Sequence, residues 1–142
     1  MNELDKNPAL KAMVVFRKAQ RTLDAHSSAF FQKANLTPTQ FSVLEVLYSK
    51  GSMRINKLIG SLLATSGNMT VVLKNMERNG WISRCQDDKD KRACLVQLTP
   101  KGQALIETIL PEHIERVEAL FSVLTETEQK QLITLLKKFK EL

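Results

Sequence analysis

Apolar side chains recur along most of this chain at three- and four-residue intervals, the spacing of one helical face. From Pro8 to about Lys33 no glycine or further proline interrupts the pattern. Leu10, Met13, Val14, Phe16, Leu23, Phe30 and Phe31 form a broad stripe there, which predicts a long amphipathic helix. Asn35-Leu36 breaks it. Thr37-Pro38-Thr39-Gln40 then supplies a hydroxyl cap, a first-turn proline and the glutamine of a capping box. Phe41, Leu44, Leu47 and Tyr48 carry the period to Gly51, which ends the helix after Lys50. Ser52-Met53-Arg54 reads as a short extended link. Ile55, Leu58, Ile59 and Leu62 predict a brief helix over roughly 55–63, and Ala64-Thr65-Ser66 a turn in which Thr65 or Ser66 caps the next helix. Met69, Val72, Leu73 and Met76 are that helix's buried face, and it lasts to Asn79, closed by Gly80.

The texture then changes. Residues 81–85 and 94–98 read as strands around the wholly charged Asp87-Asp88-Lys89-Asp90-Lys91-Arg92, a hairpin with a polar tip. A hairpin symmetric about Lys89-Asp90 sets Cys85 opposite Cys94. Thr99-Pro100 restarts a helix, with Pro111 a candidate bend, that continues through Leu105, Ile109, Ile114, Val117, Leu120 and Leu124. Thr125-Glu126-Thr127-Glu128 is a second capping box, and the last helix carries Leu132, Leu135, Leu136 and Phe139. No repeat, low-complexity stretch or linker divides residues 1–142, so one domain is expected. The fold class is mainly α with a small β-hairpin wing: a winged helix-turn-helix of order α-α-(β)-α-α-β-β-α-α.

Composition narrows the function. The chain has 142 residues, 43% of them hydrophobic and 25% charged, with two cysteines. No apolar run approaches the ~20 residues that span a bilayer, so no membrane partner is expected. The N-terminal MNELDKNPAL has no charged-then-apolar export pattern, and a reducing, cytoplasmic location follows as the expectation. The net charge of +6 sits in the middle of the chain. Residues 50–101 hold ten Lys/Arg against four Asp/Glu, whereas 1–49 hold six against four and 102–142 five against seven. A basic segment between nearly neutral ones points to a polyanion.

Helix-turn-helix followed by basic hairpin has a direct physical reading. The second helix of the pair fits the major groove of double-stranded DNA, and the hairpin tip reaches an adjacent minor groove. Thr65, Ser66, Asn68 and Thr70 crowd the start of that helix with hydroxyl and amide groups; Val71 projects outward early, and Lys74 and Arg78 follow at four-residue steps. Ser, Thr and Asn at a helix start also serve as caps, and Lys74 and Arg78 alone would read as a solvated face. The conjunction of polar first turn, cationic later turns and cationic tip favours DNA. The alternative is a winged-helix interaction module that docks an acidic protein partner without reading bases. Enzyme chemistry finds no footing: His26 and His113 stand on different helices, and no Ser-Gly elbow, paired-carboxylate motif, Cys/His cluster or phosphate loop is present. Neither cofactor nor metal is expected.

Leu63-Ala64-Thr65-Ser66-Gly67-Asn68-Met69-Thr70 and Met76-Glu77-Arg78-Asn79-Gly80-Trp81-Ile82 resemble the recognition helix of MarR-type transcriptional regulators. Asp90-Lys91-Arg92 with Leu98-Thr99-Pro100-Lys101-Gly102 is similar to that family's wing and following helix, and residues 36–44 to its second helix. The resemblance covers nearly the whole chain. It implies a homodimeric repressor on a pseudo-palindromic operator, with residues 37–101 as the DNA-binding lobe and 1–36 and 102–142 as the dimerisation body. It further implies that Lys91 and Arg92 enter the minor groove, with Asp90 orienting Arg92, a plain turn role being the other reading of Asp90. Thr65, Ser66, Asn68, Thr70 and Lys74 would face the major groove or its phosphates, with Arg54 and Lys57 as further phosphate candidates. Release by a small aromatic or phenolic effector is implied as well. Its candidate pocket residues are Phe16, His26, Phe30, Phe41 and Met53, each of which also reads as core. The one histidine near the last helices, His113, argues against a zinc sensor, and the first helix lacks the family's reactive cysteine. Cys85 and Cys94 are the redox candidates; packing as small hydrophobes is the preferred reading of both.

Overall fold

The computed structural model describes residues 3–63 and 67–142. Its helices are α1 (Glu3–Lys6), α2 (Pro8–Ala34), α3 (Pro38–Lys50), α4 (Ile55–Ser61), α5 (Met69–Arg78), α6 (Pro100–Phe121) and α7 (Glu126–Lys137), with a 3₁₀ turn over Lys138–Glu141. The strands are β1 (Met53–Arg54), β2 (Ile82–Gln86) and β3 (Cys94–Leu98). They form one antiparallel sheet in the order β1-β3-β2. This is the winged helix-turn-helix architecture that the hydrophobic pattern predicts.

The helix ends follow local chemistry. Asn7 Oδ1 accepts the Ala9 and Leu10 amides at 2.9 and 3.3 Å, just ahead of α2. Asn35 closes α2 in the left-handed region (φ 57°), and the Leu36 amide returns to the Phe31 carbonyl. Both capping boxes form. Thr37 exchanges bonds with Gln40, each at 3.0 Å, and Thr125 with Glu128 at 2.9 and 3.1 Å. Helix α6 runs unbroken through Pro111.

Two compact units divide the chain, one of residues 28–110 and one of residues 1–27 with 111–142. The first holds the core: Phe30, Leu36, Phe41, Val43, Leu44, Val46, Leu47, Met53, Leu58, Leu73, Met76, Ile82, Val96 and Ile106. Phe30, Phe31 and Phe41 meet edge to face with ring centroids 5.2–5.6 Å apart. Helix α3 is buried on several sides: Ser42, Val43 and Val46 are enclosed with Phe41, Leu44 and Leu47, while Tyr48 stays exposed. The three-to-four stripe read from sequence therefore captures only part of its packing. Ser42 Oγ is not idle there; it accepts the Leu63 amide at 2.9 Å and so ties the end of the α4 segment to α3.

In the second unit, α7 has no buried residue and many of the apolar positions stay open to solvent. Leu10, Met13, Val14, Val15 and Phe16 on α2 are exposed, as are Ile114 and Val117 on α6 and Ile133, Leu135 and Leu136 on α7. Gln129 Nε2 donates to the Phe121 and Leu124 carbonyls at 2.9 and 3.2 Å, bracing the α6–α7 turn.

One glycine is required by close approach. A Cβ on buried Gly102 would fall on the Trp81 carbonyl, so the start of α6 can lie against the 81–82 backbone only without a side chain. Gly102→Ala should therefore lower stability by about 1–3 kcal/mol. Gly60→Ala, whose added methyl meets nothing within 4 Å, should raise it by about 0.5–1 kcal/mol. Opposite shifts of the urea midpoint, at an unchanged slope, are the outcome that checks both.

Candidate nucleic-acid interface

Helix α5 begins later than its sequence pattern predicts. Asn68, rather than Thr65 or Ser66, is the N-cap: its Oδ1 accepts the Val71 amide at 3.2 Å. Thr65 and Ser66 lie outside the described residues. The side-chain oxygen of Asn68 thus gives one of its two acceptor positions to the helix. From Met69 onward the helix is strongly two-faced. Leu73 and Met76 are buried, with Met69 and Val72 half-buried beside them, while Thr70, Val71, Lys74 and Arg78 share the exposed face. Lys57 is exposed on α4.

The far end of α5 is bolted down. Gly80 turns the chain with φ 78°, and the Trp81 amide returns to the Met76 carbonyl at 3.0 Å. Thr99 Oγ1 donates to the Gly80 carbonyl and accepts the Gly102 amide at 3.0 Å, and the Thr99 amide reaches the Trp81 carbonyl at 3.1 Å. Lys101 Nζ caps the helix end by donating to the Asn79 carbonyl at 2.9 Å. On the sheet side, Arg84 of β2 lies 3.6 Å from Glu77 of α5. The helix that carries Thr70 and Lys74 is thus anchored at both the sheet and the α6 start.

The wing is built around two aspartates. Residues 88–92 form its tip, closed by the Asp87 amide donating to the Ala93 carbonyl at 3.1 Å. Asp87 Oδ1 accepts the Lys89 amide at 2.9 Å, and Asp90 Oδ1 accepts the Arg92 amide at 3.0 Å, two Asx turns in succession. Asp90 Oδ1 also lies 3.3 Å from Arg92 Nε, while the Arg92 side chain is 93% exposed. The geometry for Asp90 to orient Arg92 is present. Asp87 Oδ2 in turn takes both Nε (3.0 Å) and a terminal nitrogen (2.8 Å) of Arg54 from β1. The Arg54 guanidinium, a phosphate candidate in the sequence, is thus engaged at the wing root while its side chain stays 51% exposed. The Lys89 amide first, and then the Arg54 hydrogen bond, hold the Asp87 carboxyl below its ordinary 3.8. Among the described residues no ion pair engages Lys57, Lys74, Arg78 or Lys91.

The five-residue tip corrects the expected cysteine pairing. Cys85 faces Leu95 and Gln86 faces Cys94, because the loop is centred on Asp90 rather than between Lys89 and Asp90. A one-residue change of register reverses which face a side chain occupies, so Cys85 and Cys94 point to opposite sides of the ribbon; both are free thiols. The remaining candidates separate. Phe30, Phe41 and Met53 are spent in the core of the 28–110 unit, whereas Phe16 and His26 belong to the other unit and are exposed there. Among the described residues no group of three or more His, Cys, Asp or Glu is placed to hold a metal ion, and no helix is long and apolar enough to cross a membrane.

Sequence reasoning missed Asp87 and Glu77 as structural partners. The two-residue steps Asp87-Lys89 and Asp90-Arg92 were a legible Asx-turn signal; the reach of Arg54 across 33 positions was not.

Two outcomes follow. Because the folded-state pKa of Asp87 is depressed, its contribution to stability is present above the unfolded value near 3.8 and is lost as pH falls through the folded value. The stability difference between wild type and Asp87→Asn should hold steady around neutrality and vanish in acid well below 3.8, read from urea midpoints across pH. Diamide treatment should leave no intramolecular Cys85–Cys94 disulfide, checked by thiol titration and non-reducing electrophoresis.

The geometry has counterparts among known proteins. The MarR family model matches residues 36–94, from the link between α2 and α3 to the start of β3. YkoM of Bacillus subtilis, an uncharacterized HTH-type transcriptional regulator, is 40% identical over 137 residues, 96% of this chain and 89% of that one. In solved structures the fold is similar to a mutant MarR from E. coli complexed with operator DNA, with a TM-score of 0.79 at 24% identity over 98% of this chain and 99% of that one. It is also similar to NadR in complex with 4-hydroxyphenylacetate, with a TM-score of 0.76 at 25% identity over 89% of each chain. With a winged helix-turn-helix, a cationic wing and a relative of this identity over nearly its full length, the chain belongs to the MarR family of DNA-binding transcriptional regulators.

Proposed function

We propose that this protein is a homodimeric repressor that grips a pseudo-palindromic operator with two recognition helices and two wings, and lets go when a small aromatic or phenolic molecule binds. The observation that carries the reading is the pre-ordered display of cations on the winged unit. Arg92 stands in solvent at the wing tip yet is held by Asp90 through both its backbone amide and its guanidinium. A long cationic side chain ordered before contact loses less entropy when it enters a narrow, negative minor groove. Thr70, Val71 and Lys74 face outward from the first two turns of α5, where a helix in the major groove meets base edges and phosphates. Lys57 lies on α4 as a further phosphate contact.

The dimer rests on the apolar side chains of the other unit. Leu10, Met13, Val14, Val15 and Phe16 are all more than 40% exposed, and Phe139 near the C-terminus is 67% exposed. Apolar surface of this extent marks a protein–protein contact rather than a solvated face, and a second copy is the partner that also supplies the twofold repeat of a palindrome. The effector reading is supported by the phenolic acid bound to NadR.

Selection of bound sequences from a random duplex pool tests DNA reading and half-site spacing together. A pseudo-palindrome with half-sites about one helical turn apart is expected, and a pool without enrichment would point to the acidic-partner module. On the selected operator, Arg92→Ala should cost about 1–3 kcal/mol. Lys74→Ala should lower the salt slope by about one per contact removed. Fluorescence anisotropy across salt concentrations measures both.

A further inference from the structure

The wing root holds an acid where a DNA-binding surface should avoid one. Asp87 connects three pieces of the winged unit at once. Its Oδ2 binds Nε and a terminal nitrogen of Arg54 on β1, its Oδ1 binds the Lys89 amide at the entrance of the tip, and its own amide closes the loop on the Ala93 carbonyl. Strand β1 pairs with β3, and β2 lies on the far side of β3. Arg54 therefore reaches across the central strand to the residue that follows β2. The Asp87 side chain is only 14% exposed, against 93% for Arg92. An anionic group in the basic segment repels phosphates, so its presence there needs a reason that outweighs its charge.

We propose that Asp87, braced by Arg54, is a positioning residue for DNA binding: it fixes the start of the five-residue tip so that Lys91 and Arg92 are aimed at the groove. The inference rests on the DNA-binding reading above. It makes Arg54 a brace, not a phosphate contact. Charge and position then predict opposite signs for the same substitution. If Asp87 were a bystander anion, Asp87→Asn would tighten DNA binding by removing a repulsion. As a positioning residue its loss weakens binding, because asparagine accepts a weaker bond from the guanidinium and the tip loses its fixed start.

The test measures affinity for the operator selected from the random duplex pool, using the full chain. Asp87→Asn should weaken binding about two- to fivefold, the range of one partly exposed charge pair. In a background carrying both Lys91→Ala and Arg92→Ala the same substitution should have almost no further effect, since the side chains that Asp87 aims are gone and the losses are not additive. Arg54→Lys, which keeps the charge but not the two-nitrogen contact, should weaken binding like Asp87→Asn with an unchanged salt slope. Asp87→Asn binding as tightly as wild type, or more tightly, overturns the proposal. So does an equal loss in both backgrounds, which is the signature of general destabilisation. Arg54→Lys binding like wild type while Arg54→Met lowers the salt slope by about one would return Arg54 to a phosphate and also overturn it. A wild-type chain that binds no duplex removes the DNA reading itself, and this inference with it.

Discussion

Long cationic side chains are drawn to a polyanion whether or not they are ordered, so attraction alone carries no sequence information. What separates reading from sticking is that the cations are held in place beforehand, because each free rotor must otherwise be frozen at the moment of binding. In the winged unit, acids lie against several of the cations. Asp90 holds Arg92, Asp87 holds Arg54 and the tip entrance, and Glu77 lies beside Arg84 between helix and sheet. Each carboxylate subtracts from the net positive charge of the segment. Geometry is the return, and the segment remains cationic because Lys57, Lys74, Arg78 and Lys91 have no such partner among the described residues.

The same requirement explains the joint between α5 and α6. A helix of ten residues such as α5 is too short to be stable alone, and its orientation must be borrowed from its neighbours. Leu73 and Met76 anchor it in the core. Its C-terminal end is fixed by Gly80, the Thr99 hydroxyl and Lys101 Nζ. Gly102 lets the start of α6 lie against the Trp81 backbone. These contacts connect the wing strands, the helix and α6 through hydrogen bonds of backbone groups, which tolerate little drift.

The other unit follows a different rule. Its helices bury no side chain of α7 and leave the apolar face of α2 open. Among the described residues the buried hydrophobic cluster belongs to the 28–110 unit, whereas the other unit keeps large apolar side chains exposed. Membership of the MarR family, with a relative matched over 96% of the chain, places this division in a setting where transcriptional regulation is the common theme.

Periodicity and cap chemistry settled most of the fold from sequence alone. Thr37-Pro38-Thr39-Gln40 and Thr125-Glu126-Thr127-Glu128 fix helix starts by bonds within four residues, and Gly51 and Gly80 fix helix ends by backbone conformation. The charged run 87–92 between two apolar strands made the wing legible for the same reason: its signals are local. Tertiary structure decided the rest. Asn68 rather than Thr65 or Ser66 caps α5, a choice between neighbouring caps of similar strength that sequence does not rank. The strand register turns on whether the tip centres on Asp90 or between two residues, and that one-residue difference sends Cys85 and Cys94 to opposite faces. Arg54 reads in sequence as a phosphate candidate, and only the folded sheet, by laying β1 and β2 on either side of β3, brings it to Asp87. Local bonds are written in adjacent residues; partners 33 positions apart are made neighbours by the packing of the whole unit.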